Sequence, residues 1–142
     1  MFDLTGKTAL VTGATGGIGE AIATALHKQG ATVAITGRRE AELARVAEAL
    51  GGVRVIVAPA DLTDPAAPAA LVERIETEAG GLDILVNNAG FTRDMLALRM
   101  GDADWNAVLE VDLTAPFRLA RAALRGMMKK RSGRIISIAS IV

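Results

Sequence analysis

The sequence contains no cysteine, no tyrosine and only one histidine, His27. Without cysteine there is no disulfide framework and no thiolate metal site. A lone imidazole argues against a histidine-rich metal centre, so no metal is expected, and a Ser-His hydrolase triad would have to use His27 itself. Charge of one sign is also missing. Lys+Arg and Asp+Glu both number 16, giving a net charge of zero. That balance exerts no global pull toward nucleic acid or an anionic membrane. No apolar run approaches the roughly 20 residues that span a bilayer. The first residues, 1–4, lack the charged-then-apolar pattern of a signal peptide. A soluble cytoplasmic protein without nucleic-acid or membrane partners is therefore expected. What remains is a hydrophobic content of 51% in 142 residues, enough for the core of a single domain, 1–142.

Strand-like and helix-like segments alternate along this chain. Residues 8–11 form a short apolar run that ends in glycines. Ile18, Ile22, Ala25 and Leu26 then recur at helical spacing, and Gly30 marks the helix stop. Thr32–Thr36 reads as a second strand. Residues 40–50 read as a helix with Leu43, Val46, Ala47 and Leu50 on one face, closed by Gly51 and Gly52. A strand over 53–58, a helix over 65–79 and a strand over 82–86 follow. A long helix over 102–130 is expected to bend at Pro116, and 134–138 is the fifth strand. Apolar strands alternating with helices indicate a parallel sheet covered on both faces. The pattern is an α/β, Rossmann-like, doubly wound sheet of five strands, matching all but the last strand of the order 3-2-1-4-5-6. The sequence stops where a crossover helix and a further strand are expected, so the domain is expected to lack its C-terminal part.

The loop after the first strand reads Thr12-Gly13-Ala14-Thr15-Gly16-Gly17-Ile18-Gly19. Between a strand and a helix, glycines let the backbone turn tightly and approach a pyrophosphate, which the helix N-terminus then attracts. A tight strand-to-helix turn without a ligand is the plainer alternative. The spacing is Gly13-x-x-x-Gly17-x-Gly19. With Thr12 it resembles the T-G-x-x-x-G-x-G motif of the short-chain dehydrogenase/reductase family. Asp61-Leu62 after the third strand, Asn87-Asn88-Ala89-Gly90 ending the fourth, and Ser140 after the fifth stand where that family has its adenine-side acid, its N-N-A-G motif and its catalytic serine. Within the family, Gly90 to Met95, Arg99-Met100 and 126–136 resemble bacterial 3-oxoacyl-acyl-carrier-protein reductases.

The resemblance implies a nicotinamide cofactor held by Gly13, Ala14, Thr15, Gly16, Gly17, Ile18, Gly19, Asp61, Leu62, Asn88, Ala89 and Gly90. NAD-selecting enzymes usually place an acid at the end of the second strand. Here Arg38 and Arg39 occupy that stretch, with no acid before Glu40. Arginine suits a 2′-phosphate through charge-assisted contacts, so NADP(H) is expected with Arg38 as the contact, unless Arg38 is merely a solvated residue opening the next helix. The implied activity is NADPH-dependent reduction of a 3-oxoacyl chain on acyl carrier protein, in fatty acid synthesis. Another keto substrate and a non-catalytic nucleotide-binding module are the alternatives.

The family's reaction uses a tyrosine to give the proton, a lysine four residues later, a serine and an asparagine site. Ser140 matches the serine, and Asp112 stands at the asparagine site. The Tyr-x-x-x-Lys segment has no counterpart in a sequence without tyrosine, so these 142 residues alone are expected to be inactive. Pro116 has no N–H for the Asp112 carbonyl. That carbonyl can hold a relay water, or the proline can be a simple bend. Carrier protein is acidic, and Lys129-Lys130-Arg131 offers positive charge to it, with Arg131 carried over from the family. The same run also suits a helix C-terminus through the dipole. Family members are usually homotetramers.

Overall fold

The computed structural model describes residues 2–140. Five strands form one parallel sheet: β1 (Thr8–Thr12), β2 (Thr32–Thr36), β3 (Val55–Val57), β4 (Ile84–Asn87) and β5 (Arg134–Ser137). Their order is β3-β2-β1-β4-β5. β1 lies between β2 and β4, pairing Ala9 with both Val33 and Ile84. The order of the sheet therefore reverses at β1, and a crevice opens beyond the C-terminal ends of β1 and β4.

Side-chain alternation along the strands divides the core into two layers. Leu10, Ala34 and Leu85 face α3 (Ala67–Ala79) and α5 (Ala115–Lys130). Ala9, Val11, Val33, Ile35, Ile84 and Val86 face α1 (Gly17–Lys28) and α2 (Glu40–Ala49). Each central strand is apolar on both faces because each face is covered. Leu43, Val46 and Leu50 of α2, and Leu71, Val72 and Ile75 of α3, are buried as their spacing predicts. In α1 the inner face carries Ala23 with Ile22 and Leu26, whereas Ala25 is exposed and Ile18 is 64% exposed.

Three segments differ from the sequence reading. β3 begins two residues late because Arg54 has φ +57, a left-handed conformation that no strand can include. Its guanidinium instead donates to the His27 and Ala31 carbonyls at 3.2 and 2.8 Å, while the His27 ring bonds the Val53 carbonyl at 2.8 Å. These contacts tie the end of α1 to the chain entering β3. Residues ahead of α3 form tight turns rather than helix, since Asp61 and Asp64 accept the Thr63 and Ala66 N–H groups at 3.0 and 2.9 Å. The long helix is divided into α4 (Asp102–Leu109), a π-turn at Glu110–Thr114 and α5. β5 is exposed along its length and borders the sheet among the described residues, with Ile135 and Ile136 37% and 45% exposed.

The N-terminal ends of β1 and β4 are joined by Asp83. Its carboxylate accepts the Thr8 N–H and the Lys130 ammonium, both at 2.9 Å, and Lys7 lies 4.0 Å away. Burial pushes the Asp83 carboxyl up, but the Thr8 bond, the Lys130 bond and the charges of Lys130 and Lys7 together hold it below the usual carboxylate range. A lowered native pKa adds stability above the unfolded-state pKa of about 3.9, and that stability is lost as pH falls through the native value. Asp83→Asn should therefore cost about 1.5–3 kcal/mol near neutral pH, the range for hydrogen bonds to a charged group. Denaturant melts of both proteins should show this difference shrinking as the pH drops below about 4.

Candidate nucleotide-binding site

The crevice is built on a junction between the β1 and β4 loops. Thr12, the last residue of β1, is almost wholly buried. Its Oγ1 accepts the N–H groups of Asn88 and Ala89 at 3.0 and 2.9 Å and lies 3.4 Å from the Val86 carbonyl. The Asn88 amide in turn donates to the Thr12 and Gly13 carbonyls at 3.1 and 3.3 Å. Sequence reading quoted Thr12 only as part of a motif. A hydroxyl ending a buried strand beside glycine was the available signal for its bracing role.

An open cleft of about 1040 Å³ lies over this junction. Gly13, Thr15, Gly16, Gly17, Ile18 and Gly19 form its floor. The exposed Ile18, set in the first turn of α1, is thereby accounted for. Ala14 is the exception: it is fully buried in the α1–α2 layer, with its N–H on the Thr36 carbonyl at 3.2 Å, and it does not line the cleft.

The three motif glycines do different work. Gly13 has φ +62, and a Cβ there would come within 2.8 Å of the Ala89 Cα. A Cβ at Gly19 would collide with the Gly13 carbonyl oxygen and approach the Asn88 amide nitrogen to 2.6 Å. Both glycines thus let the loops pack on each other. Gly17 meets no protein atom within 4 Å and faces open cleft. It is the glycine whose side-chain space is left for a ligand. N–H groups at the start of α1 border that space, with the positive end of the helix dipole behind them.

At the β2 end, Arg38, Arg39, Asp61, Leu62 and Thr63 line the cleft. Arg39 donates to Thr15 Oγ1 at 3.4 Å. The N–H and hydroxyl of Thr63 both donate to Asp61, at 3.0 and 2.8 Å, and together with the nearby Arg38 charge they hold its carboxyl below the usual range despite an opposing effect of burial. No acid lies at the β2 terminus itself, where the chain reads Thr36-Gly37-Arg38-Arg39.

At the β4 end, Asn88, Ala89 and Gly90 line the cleft, followed by Phe91, Thr92 and Arg93. Arg93 stacks over the Phe91 ring, 5.4 Å from its centroid, and its Nε is 3.8 Å from Asp104. Ala107 of α4 and Val111 of the π-turn complete this wall. Asp112 does not line the cleft, but its Oδ1 accepts the Phe91 N–H at 3.1 Å. Sequence reading considered its backbone carbonyl, whereas the side chain has a task of its own. Ser140 follows β5, whose continuation is marked by the Ile138 N–H on the Asn87 carbonyl at 2.9 Å, so it stands at the same end of the sheet as Asn88.

Arg131 lies at the other end of the molecule, capping α5 with φ +54 beside a shallow groove rimmed by Met128 and Arg134. Of the basic run, Lys130 is already engaged by Asp83 and the Leu82 carbonyl at 2.9 Å each. Among the described residues there is no cluster of metal-ligating side chains and no helix long and apolar enough to cross a membrane.

Comparison with known proteins agrees with this geometry. The family model for short chain dehydrogenase matches residues 7–142. Nodulation protein G of a Rhizobium species is 55% identical over 142 residues, which is 100% of this chain and 58% of that protein. The 3-oxoacyl-acyl-carrier-protein reductase FabG of Escherichia coli is 48% identical over 139 residues, covering 96% of this chain and 56% of that enzyme. The crystal structure of a short-chain type dehydrogenase/reductase from Mycobacterium marinum superposes with a TM-score of 0.92 at 36% identity, over 99% of this chain and 56% of that one. The chain thus spans a little over half the length of the proteins it matches. It belongs to the short-chain dehydrogenase family, whose Rossmann fold implies a nicotinamide cofactor.

Proposed function

We propose that this chain forms the cofactor-binding part of an NADPH-dependent reductase of 3-oxoacyl chains carried on acyl carrier protein. The observation that carries this reading is the cleft at the reversal of strand order, with an open glycine-loop floor and two arginines, rather than an acid, in the chain directly after β2. The residues fit the cofactor. The space beside Gly17 and the α1 N-terminus suits a pyrophosphate, Asp61 and Leu62 suit the adenine side, and Arg38 suits a 2′-phosphate. Asn88, Ala89 and Gly90 would flank the nicotinamide half. When bound, the cofactor supplies a hydride to a keto carbon.

In this reading Ser140 orients the substrate carbonyl, and Asp112 serves from beyond the cleft. The substrate class rests on relatives named as 3-oxoacyl-acyl-carrier-protein reductases, at 48–49% identity. Acyl carrier protein would meet Arg131. That arginine holds a left-handed backbone position that ordinarily selects glycine, at a local conformational cost. A homo-oligomer suits the outer face of α4 and α5, where Trp105, Phe117 and Met128 are 56%, 58% and 71% exposed. The absence of tyrosine means that these 142 residues by themselves are not expected to supply the family's proton donor.

Two variants test the cofactor reading by calorimetric titration. Arg38→Ala should weaken NADPH binding by roughly 10–100-fold, the equivalent of about 1.5–3 kcal/mol for hydrogen bonds to a charged group. NADH binding should change little, and equal loss for both nucleotides would refute the 2′-phosphate assignment. Gly17→Val should abolish binding of either nucleotide while leaving the melting temperature within about 2 °C, since its side chain enters ligand space and not protein. Unchanged affinity would mean that the loop is only a turn.

A further inference from the structure

The segment joining α4 to α5 holds an ion pair that a straight helix would not make. Glu110 opens the π-turn, and Arg118 lies in the first turns of α5. The Arg118 guanidinium is hydrogen-bonded to the Glu110 carboxylate. At about 100° per residue, positions eight apart on an α-helix are roughly 80° out of line, whereas positions seven apart agree within about 20°. A π-turn takes one additional residue into a single turn. The N–H of Ala115 accordingly reaches the Glu110 carbonyl, five residues back. Glu110 and Arg118 therefore stand as though seven apart and share a face. Side chains on a helix lean toward its N-terminus, which carries the long arginine back toward Glu110. Both are partly buried, 27% and 24% exposed, so water screens them less than it screens a rim pair.

The π-turn also carries Asp112 and Val111. Val111 lines the cleft, and Asp112 Oδ1 holds the Phe91 N–H at 3.1 Å. Phe91 belongs to the loop that forms one wall of the cleft. We propose that Glu110 and Arg118 are positioning residues: their ion pair selects the π register, that register aims Asp112 at the Phe91 N–H, and the resulting bond holds the cleft wall in place. Neither side chain touches the cleft, so both act through Asp112. The purpose given to the wall rests on the cofactor reading above, but the chain of contacts does not. Pro116 is compatible with the π-turn because it has no N–H to place, and it gives the rival explanation, that proline alone sets the register.

Amide hydrogen exchange resolved by residue tests this in the full chain. Glu110→Met and Arg118→Met should each speed exchange at Phe91 by about 10-fold or more, since its opening is local. Leu10 and Leu85, in the sheet core, should exchange as before. Asp112→Ala should give the same rise, and adding Glu110→Met to it should give no more. Pro116→Ala, which keeps the pair, should leave Phe91 protected. The proposal is overturned if Phe91 stays protected in both methionine variants, if protection falls equally across the sheet, or if Pro116→Ala alone exposes Phe91. NADPH titration of the same variants is a separate arm. Loss of Phe91 protection without loss of nucleotide affinity keeps the positioning chain and refutes only the cofactor purpose of the wall.

Discussion

Thr12 is the residue on which the rest of the site depends. Its hydroxyl takes two N–H groups from the β4 loop, and Asn88 returns two bonds to the carbonyls of the β1 loop. The two loops that diverge from the sheet at its reversal point are thereby made into one rigid floor. Valine at position 12 would match threonine in shape and leave the Asn88 and Ala89 N–H groups without their acceptor, each at a cost of about 1–3 kcal/mol. Gly13 and Gly19 belong to the same junction. They permit the close approach that these bonds require, because a side chain at either would strike Ala89 or Gly13. The glycine motif is therefore first a packing motif, and only Gly17 leaves space that the protein does not use.

Much of this was legible in the sequence because it follows from short-range patterns. Five apolar strands between amphipathic helices, and glycines closing α2 and α3, fixed the sheet and its order. The periodic leucines, valines and isoleucine of α2 and α3 are the core. What was not legible arose from contacts between segments far apart in the chain. Arg54 delays the start of β3 because it reaches back to the His27 and Ala31 carbonyls at and just beyond the end of α1, and no periodicity reports that. At the π-turn the sequence pattern indicates only a bend at Pro116. A single added residue disturbs the helical pattern too little to detect, and the ion pair that accompanies it is visible only as an eight-residue spacing. Ala14 sits inside the glycine motif and yet faces the core, where its N–H is tied to the Thr36 carbonyl and its methyl packs in the α1–α2 layer.

The two ends of the sheet differ in how fully their charges are satisfied. At the N-terminal ends of β1 and β4, Asp83 takes a backbone N–H and an ammonium at 2.9 Å each, and Lys130 adds a carbonyl. Those groups have close, short-range partners, and their contribution is to stability. At the C-terminal ends the arginines of the cleft are held loosely. Arg39 reaches Thr15 at 3.4 Å, and Arg93 lies 3.8 Å from a half-exposed Asp104. Exposed contacts of that length are worth about 1 kcal/mol or less. A phosphate offering charge-assisted bonds exceeds them easily, so these side chains can turn toward an anion without loss of fold. The same contrast explains the unequal fate of the basic run at the end of α5. Lys130 is fixed by the sheet, whereas Arg131 is exposed in a left-handed position at the end of α5. Firm pairing at one end of the strands and loose pairing at the other is the arrangement expected where one end carries stability and the other exchanges its partners with a ligand.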